Sequence, residues 1–191
     1  MNTRILAIGG SLRKDSYNRR LIEEARRVAP EGVTVDIADL SDVPFYDGDV
    51  EATGLPASVV RLADQVQQAD AVLIVTPEYN YSIPGVLKNS IDWLSRVPSK
   101  PIQGKPVGLA SASMGGLGGS RAQYHLRQIL VVLDPVVLNR PEVFVSAVHE
   151  KFTPEGELSD PTVRAGLVAL MQALADKADQ LALMSAERQA A

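Results

Sequence analysis

Short runs of apolar residues alternate along this chain with longer stretches in which apolar residues recur every three or four positions, the pattern of strands and helices laid down in turn. Residues 4–8, 33–37, 71–75 and 106–110 predict four strands. Residues 136–138 and 143–145 predict a fifth, interrupted around Pro141. The run at 71–75 is apolar at every position, as a central parallel strand covered on both faces must be. Between the strands, Leu21, Ile22, Ala25 and Val28 share a face of a helix starting near residue 19. Val59, Leu62, Ala63 and Val66 do so from residue 56, and Leu87, Ile91 and Leu94 from residue 84. A fourth helix begins near Ser120. A last one begins at Asp160-Pro161, an N-cap followed by proline at the first helical position, with Val163, Leu167, Leu170, Leu174 and Leu181 as its buried stripe. Residues 44–54, rich in Asp, Gly and Pro, read as a loop. Strict alternation of this kind predicts an α/β fold, a three-layer sandwich around a five-stranded parallel sheet, with residues 1–191 as a single domain.

Ligands of such sheets sit at the carboxyl ends of the strands, so the loops after the first, third and fourth strands are the ones to read. The first, residues 9–18, joins Gly9 and Gly10 to Ser11, Arg13, Lys14, Ser16 and Asn18 just before a helix N-terminus. Hydroxyls, cations and free helix N–H groups suit a phosphate dianion, whereas Ser16 or Asn18 acting as a helix cap is the plainer alternative. Neither a Walker loop nor G-x-G-x-x-G is present. The second loop, residues 76–85, carries Tyr79, Asn80 and Tyr81 between rigid Pro and Gly positions, a surface for contacting a ring or a partner, or simply a cover for the sheet end. In the third, residues 111–121, Gly115, Gly116, Gly118 and Gly119 either allow a ring or phosphate to approach the backbone or make a flexible turn.

Charge and composition narrow the classes. A net charge of −4 argues against a nucleic-acid partner, and the absence of cysteine removes disulfides, thiolate nucleophiles and cysteine-bound metals. No apolar run reaches the roughly 20 residues that span a bilayer, so no membrane association is expected. The two histidines, His125 and His149, lack metal-ligand spacing, and G-x-S-x-G does not occur, so neither a metal centre nor a hydrolytic triad is expected. His125 reads as a surface or interface residue.

Three segments together resemble the NAD(P)H-dependent FMN reductase family, most closely its chromate/quinone reductase branch, over roughly residues 3–150. They are Gly10-Ser11-Leu12-Arg13 with Ser16-Tyr17-Asn18; Pro77-Glu78-Tyr79-Asn80-Tyr81-Ser82-Ile83-Pro84-Gly85 with Leu87-Lys88-Asn89 and Asp92-Trp93; and Gly115-Gly116-Leu117-Gly118-Gly119 with Arg121. The resemblance implies a flavodoxin-like fold with sheet order 2-1-3-4-5 and bound FMN. Ser11, Arg13, Ser16, Tyr17 and Asn18 would hold the phosphate. Pro77, Glu78, Tyr79 and Asn80 would border the ring, and Ser113, Met114, Gly115 and Gly116 would approach its pyrimidine end. Asp15, unfavourable beside a phosphate, should point outward. The implied reaction takes hydride from NADPH or NADH to FMN and passes electrons to a small-molecule acceptor such as a quinone, with chromate and azo compounds as further acceptors. No side chain need act as a catalytic acid. Arg121, or Arg96 and Lys100, would be solvated or meet a cofactor phosphate. A cytoplasmic homodimer or homotetramer is implied, with Tyr81, Trp93, Tyr124 and Arg127 at its interfaces. The competing readings are an FMN-binding electron carrier without efficient NAD(P)H turnover and a redox-regulatory partner.

Overall fold

The computed structural model describes residues 2–190. Its elements run β1 (Thr3–Gly9), α1 (Tyr17–Arg27), β2 (Val33–Ala38), α2 (Gly48–Thr53), α3 (Ala57–Gln68), β3 (Ala71–Thr76), α4 (Gly85–Arg96), β4 (Pro106–Ala112), α5 (Ser120–Leu130), β5 (Val136–Val137), β6 (Val143–Val145) and α6 (Pro161–Ala190). The sheet is parallel, in the order β2-β1-β3-β4-β5, and β6 also pairs with β4, beyond β5 along its length. The expected fifth strand is thus two short pieces. β5 follows the start of β4, β6 follows its end, and the Arg140–Pro141 peptide between them is cis.

Side-chain alternation along the strands divides the core in two. Ile5, Ala7, Ala71, Leu73 and Val75 face Leu21, Ile22 and Ala25 of α1 and Leu167, Leu170, Met171 and Leu174 of α6. Leu6, Ile8, Val72, Ile74 and Leu109 face α3, α4 and α5 through Val59, Leu62, Leu87, Ile91, Leu94 and Leu126. Every residue of β3 and β4 is buried, which is why those segments read as unbroken apolar or small-residue runs. α6 starts at the expected cap: Asp160 Oδ1 accepts from the N–H groups of Thr162 (2.9 Å) and Val163 (3.0 Å). Its buried stripe ends earlier than expected, at Ala178, with Leu181 only half-buried.

The stretch expected to be a loop at residues 44–54 contains α2, capped by Asp47, whose side chain accepts from Asp49 N. It was hidden because none of its residues is buried, so it has no apolar period to read. Among the described residues no helix is long and apolar enough to cross a membrane.

Candidate functional site

Strand order reverses between β1, whose crossover leads to β2 on one side, and β3 on the other. The crevice outside the carboxyl ends of those two strands is where an open α/β sheet holds ligands. The loop after β1 enters it by passing tight against β3. Gly10 N–H donates to Val75 O (2.9 Å), and a Cβ at Gly10 would lie 2.6 Å from Thr76 Oγ1, so only glycine fits there. α1 then begins at Tyr17 with Ser16 at the N-cap position. Ser16 is buried, yet its hydroxyl makes no cap bond, and the first turn of α1 carries no acid. Asn18 does not cap either. Its Nδ2 donates to Ala112 O (3.0 Å) and its Oδ1 accepts from Ala112 N (2.9 Å), so a fully buried amide ties the first loop to the end of β4. The helix end therefore keeps its free N–H groups and positive dipole directed at the crevice.

The loop after β3 folds into a tight turn. Tyr79 and Ser82 exchange both backbone hydrogen bonds (2.9 and 3.0 Å), with Asn80 (φ 49°) and Tyr81 (φ 67°) left-handed at the two central positions. Asn suits that geometry; Tyr does so only under constraint. The constraint is Arg121, whose guanidinium carbon lies 3.6 Å from the centre of the Tyr81 ring. Arg121 Nε is in turn 2.6 Å from Glu78 Oε1, and Glu78 Oε2 accepts from Ala122 N (3.3 Å). Glu78 thus anchors the turn to the N-terminus of α5, where a carboxylate is favoured. Ser82 Oγ also meets His125 Nδ1 at 2.8 Å.

The glycine-rich loop after β4 closes the third side. Ser113 N donates to Val145 O (2.9 Å), Val148 N donates to Ser113 O (3.1 Å), and Gly115 N donates to Ser113 Oγ (3.1 Å). The three loops enclose one cleft of about 220 Å³, walled by Ser11, Arg13, Ser16, Tyr17, Asn18, Pro77, Glu78, Tyr79, Ala112, Ser113, Met114 and Val148. Among the described residues no hydrogen bond or ion pair engages the side chains of Ser11, Arg13 or Ser16. A cluster of two hydroxyls, one guanidinium and a helix N-terminus, with no acid of α1 to oppose it, fits a phosphate dianion.

The matches to known proteins agree with this geometry. A family model for the NADPH-dependent FMN reductases matches residues 3–150. The chain belongs to that family. An NAD(P)H-dependent FMN reductase of Pseudomonas aeruginosa is 48% identical over 171 residues, covering 90% of this chain and 92% of the relative. A quinone reductase of Escherichia coli K12 is 50% identical over 159 residues, covering 82% and 85%. Among solved structures, a flavoenzyme NAD(P)H:(acceptor) oxidoreductase from Paracoccus denitrificans superposes with a TM-score of 0.84 at 32% identity, covering 93% of this chain and 98% of that one.

In this member of the FMN reductase family, most of the residues anticipated from sequence line the cleft, but not all. Asn80 is at the exposed tip of the turn, and Gly115 and Gly116 lie on the exposed outer arch of the third loop. Ala112 and Val148 were missed. Val148 opens a single 3-10 turn after β6, too short to carry a period, and only the fold brings its N–H to Ser113 O.

The remaining residues fare differently from one another. Trp93 is not an interface residue but fully buried, its indole N–H donating to Pro44 O (2.8 Å) and its ring edge-on to Tyr46 (5.0 Å between centres). Asn89 assists by donating to the same carbonyl and accepting from Tyr46 N, so this part of the family motif holds a loop and not a ligand. Arg121 is partly exposed, and its guanidinium is engaged by Glu78 and Tyr81. Arg96 and Lys100 are exposed, as the solvated alternative expects, and lie at the far end of α4, where Arg96 stacks on Tyr46 (5.0 Å) and both line a separate cavity with Ile102 and Val132. The N-cap role left open for Ser16 and Asn18 is taken by neither side chain. Arg127, half-buried, donates to Leu138 O (2.9 Å), whereas Tyr81 and Tyr124 are exposed.

Proposed function

We propose that the cleft binds FMN with its phosphate on the first loop, and that the protein is an NAD(P)H-dependent FMN and quinone reductase. The observation that carries this reading is the set of free donors at Ser11, Arg13, Ser16 and the start of α1, opening into the same cleft as the second and third loops. Its support is membership of the FMN reductase family and the named activities of the relatives.

Bound there, FMN supplies hydride chemistry between reduced nicotinamide and a two-electron acceptor such as a quinone. The chain's own tasks are binding and orientation. Arg13 and the two serines neutralise and direct the phosphate, while Asn18, already committed to Ala112, holds the first and third loops at a fixed spacing. Pro77, Glu78 and Tyr79 offer backbone groups, the Glu78 carboxylate being turned away onto Arg121 and Ala122. Asn80, Gly115 and Gly116 take rim positions. Leu12, Tyr79, Tyr81, Met114, Leu117 and Tyr124, carried on the three loops and the start of α5, are exposed and give this end of the sheet an apolar rim. That apolar rim supports a homodimer or homotetramer in which a second copy narrows the entrance and excludes water. The protein acts in the cytoplasm, consistent with a chain free of cysteine.

The test is direct. Apo protein mixed with FMN should give a yellow complex absorbing near 450 nm that survives gel filtration, and the complex should oxidise NADPH or NADH when a benzoquinone is added. A yellow complex without NAD(P)H turnover would make it an electron carrier; no complex at all would overturn the assignment. Chromate and azo dyes should also be reduced, more slowly than the quinone. Sedimentation showing only monomer at micromolar concentration would remove the oligomer.

A further inference from the structure

Gln123 lies one turn into α5, beneath the glycine-rich loop and fully buried. Its Nε2 donates to Ser111 Oγ (2.8 Å) and to Val143 O (2.9 Å). A backbone carbonyl can only accept, so the group facing Val143 O must be the amide nitrogen, and the orientation of the side chain is fixed. Ser111, also fully buried in β4, receives one bond from Gln123 and donates to Gly118 O at 2.6 Å. The donors run in one direction, from Gln123 through Ser111 to the carbonyl of Gly118.

That carbonyl is the far foot of the third loop. Gly118 (φ 59°) and Gly119 (φ 84°) are both left-handed and lie directly on their neighbours. A Cβ at 118 would be 2.8 Å from Phe144 C, and one at 119 would be 2.8 Å from Ser111 Cβ. The near foot, Ala112, is held by Asn18. Residues 113–117 form an arch between two pinned ends, and Ser113 and Met114 of that arch wall the cleft.

Gln123 Oε1 is buried with no partner among the described residues, so the amide is held only through its N–H groups.

We propose that Gln123, acting through Ser111, is a positioning residue for FMN: it sets the height of the 113–117 arch over the cleft. This rests on the assignment of the cleft to FMN. The test compares Gln123→Met, Ser111→Ala and the double variant with the wild-type protein. FMN affinity is read by flavin fluorescence, and backbone hydrogen exchange is read on the apo proteins. Each single variant should raise the Kd for FMN about tenfold, the worth of one buried hydrogen bond. The double variant should be no weaker than the weaker single one, because both remove the same relay. Exchange should quicken at 113–119 in the apo protein while β1 and β3 stay protected.

An FMN Kd within twofold of wild type in both single variants would overturn the proposal. So would additive losses in the double variant, or exchange that quickens evenly across the sheet. If Gln123→Met does not fold, Ser111→Ala, which deletes one oxygen from the relay, must alone show the tenfold loss and the localised exchange. A wild-type protein that binds no FMN would instead defeat the assignment of the cleft, and this proposal with it.

Discussion

The first and third loops wall the same cleft, and their polar groups are used in opposite ways. In the first, the side chains of Ser11, Arg13 and Ser16 have no partner among the described residues, and the N-terminus of α1 is left uncapped by a side chain. In the third, Ser111, Ser113, Gly115 and Gly118 are all hydrogen-bonded within the protein, to Gln123, β6 and one another. A loop that meets charge keeps its donors free until the ligand arrives. A loop that meets a flat ring needs shape, and shape requires its own bonds satisfied first. Asn18 belongs to neither kind, because its amide joins one loop to the other.

The comparison can be broken by substitution. Arg13→Ala combined with Ser16→Ala should weaken FMN binding by a hundredfold or more, since each removes a bond to a charged group worth about 1.5–3 kcal/mol. The apo protein should melt close to the wild type, because those side chains hold nothing in it. Flavin titration and thermal melts check both halves. Asn18→Ala should show the other profile. Buried backbone N–H and C=O of Ala112 would lose their Asn18 partners, lowering stability by about 2–6 kcal/mol for the two groups, as urea denaturation of the apo protein would show, with weaker FMN binding as a consequence.

Trp93→Phe should cost about 1–2 kcal/mol for the lost bond to Pro44 O and leave both FMN affinity and sedimentation unchanged. A change in oligomeric state would restore Trp93 to an interface. The smallest effect concerns pH. Lys151 beside Asp160, with the Val163 and Thr162 N–H groups, holds the Asp160 carboxyl below the usual carboxylate range. A lowered folded pKa means its stabilising contribution is present above the unfolded value of about 3.9 and is lost as pH falls through the folded value. Asp160→Asn, which keeps a capping oxygen but cannot titrate, should flatten the fall in stability below about pH 4 and leave neutral-pH FMN binding untouched.

The core strands were legible because strands buried on both faces carry unbroken apolar runs, as 71–75 does. β5 and β6 were legible as apolar fragments but not as separate strands, since only pairing along β4 shows that each takes a different part of it. α2 escaped notice because it buries nothing. At the site, Gly, Ser and Arg before a helix carried the phosphate reading, and the loop positions followed from strand order. The partners of individual side chains did not follow. Asn18 in a polar loop reads as a ligand contact, and only the fold shows that its amide is also bonded to the end of β4. Trp93 next to a family motif reads as surface until the chain at 44–46 returns over it. Long-range contacts of that kind leave no local period in the sequence.

The most direct test of the phosphate assignment compares FMN with riboflavin, which has the same ring and ribityl chain and no phosphate. Titrated into apo protein, FMN should bind at least about a hundredfold more tightly, two or three charge-assisted hydrogen bonds' worth. The Arg13→Ala, Ser16→Ala protein should lose most of that preference while its affinity for riboflavin stays the same. Equal affinities of the wild-type protein for FMN and riboflavin would contradict the assignment of the first loop.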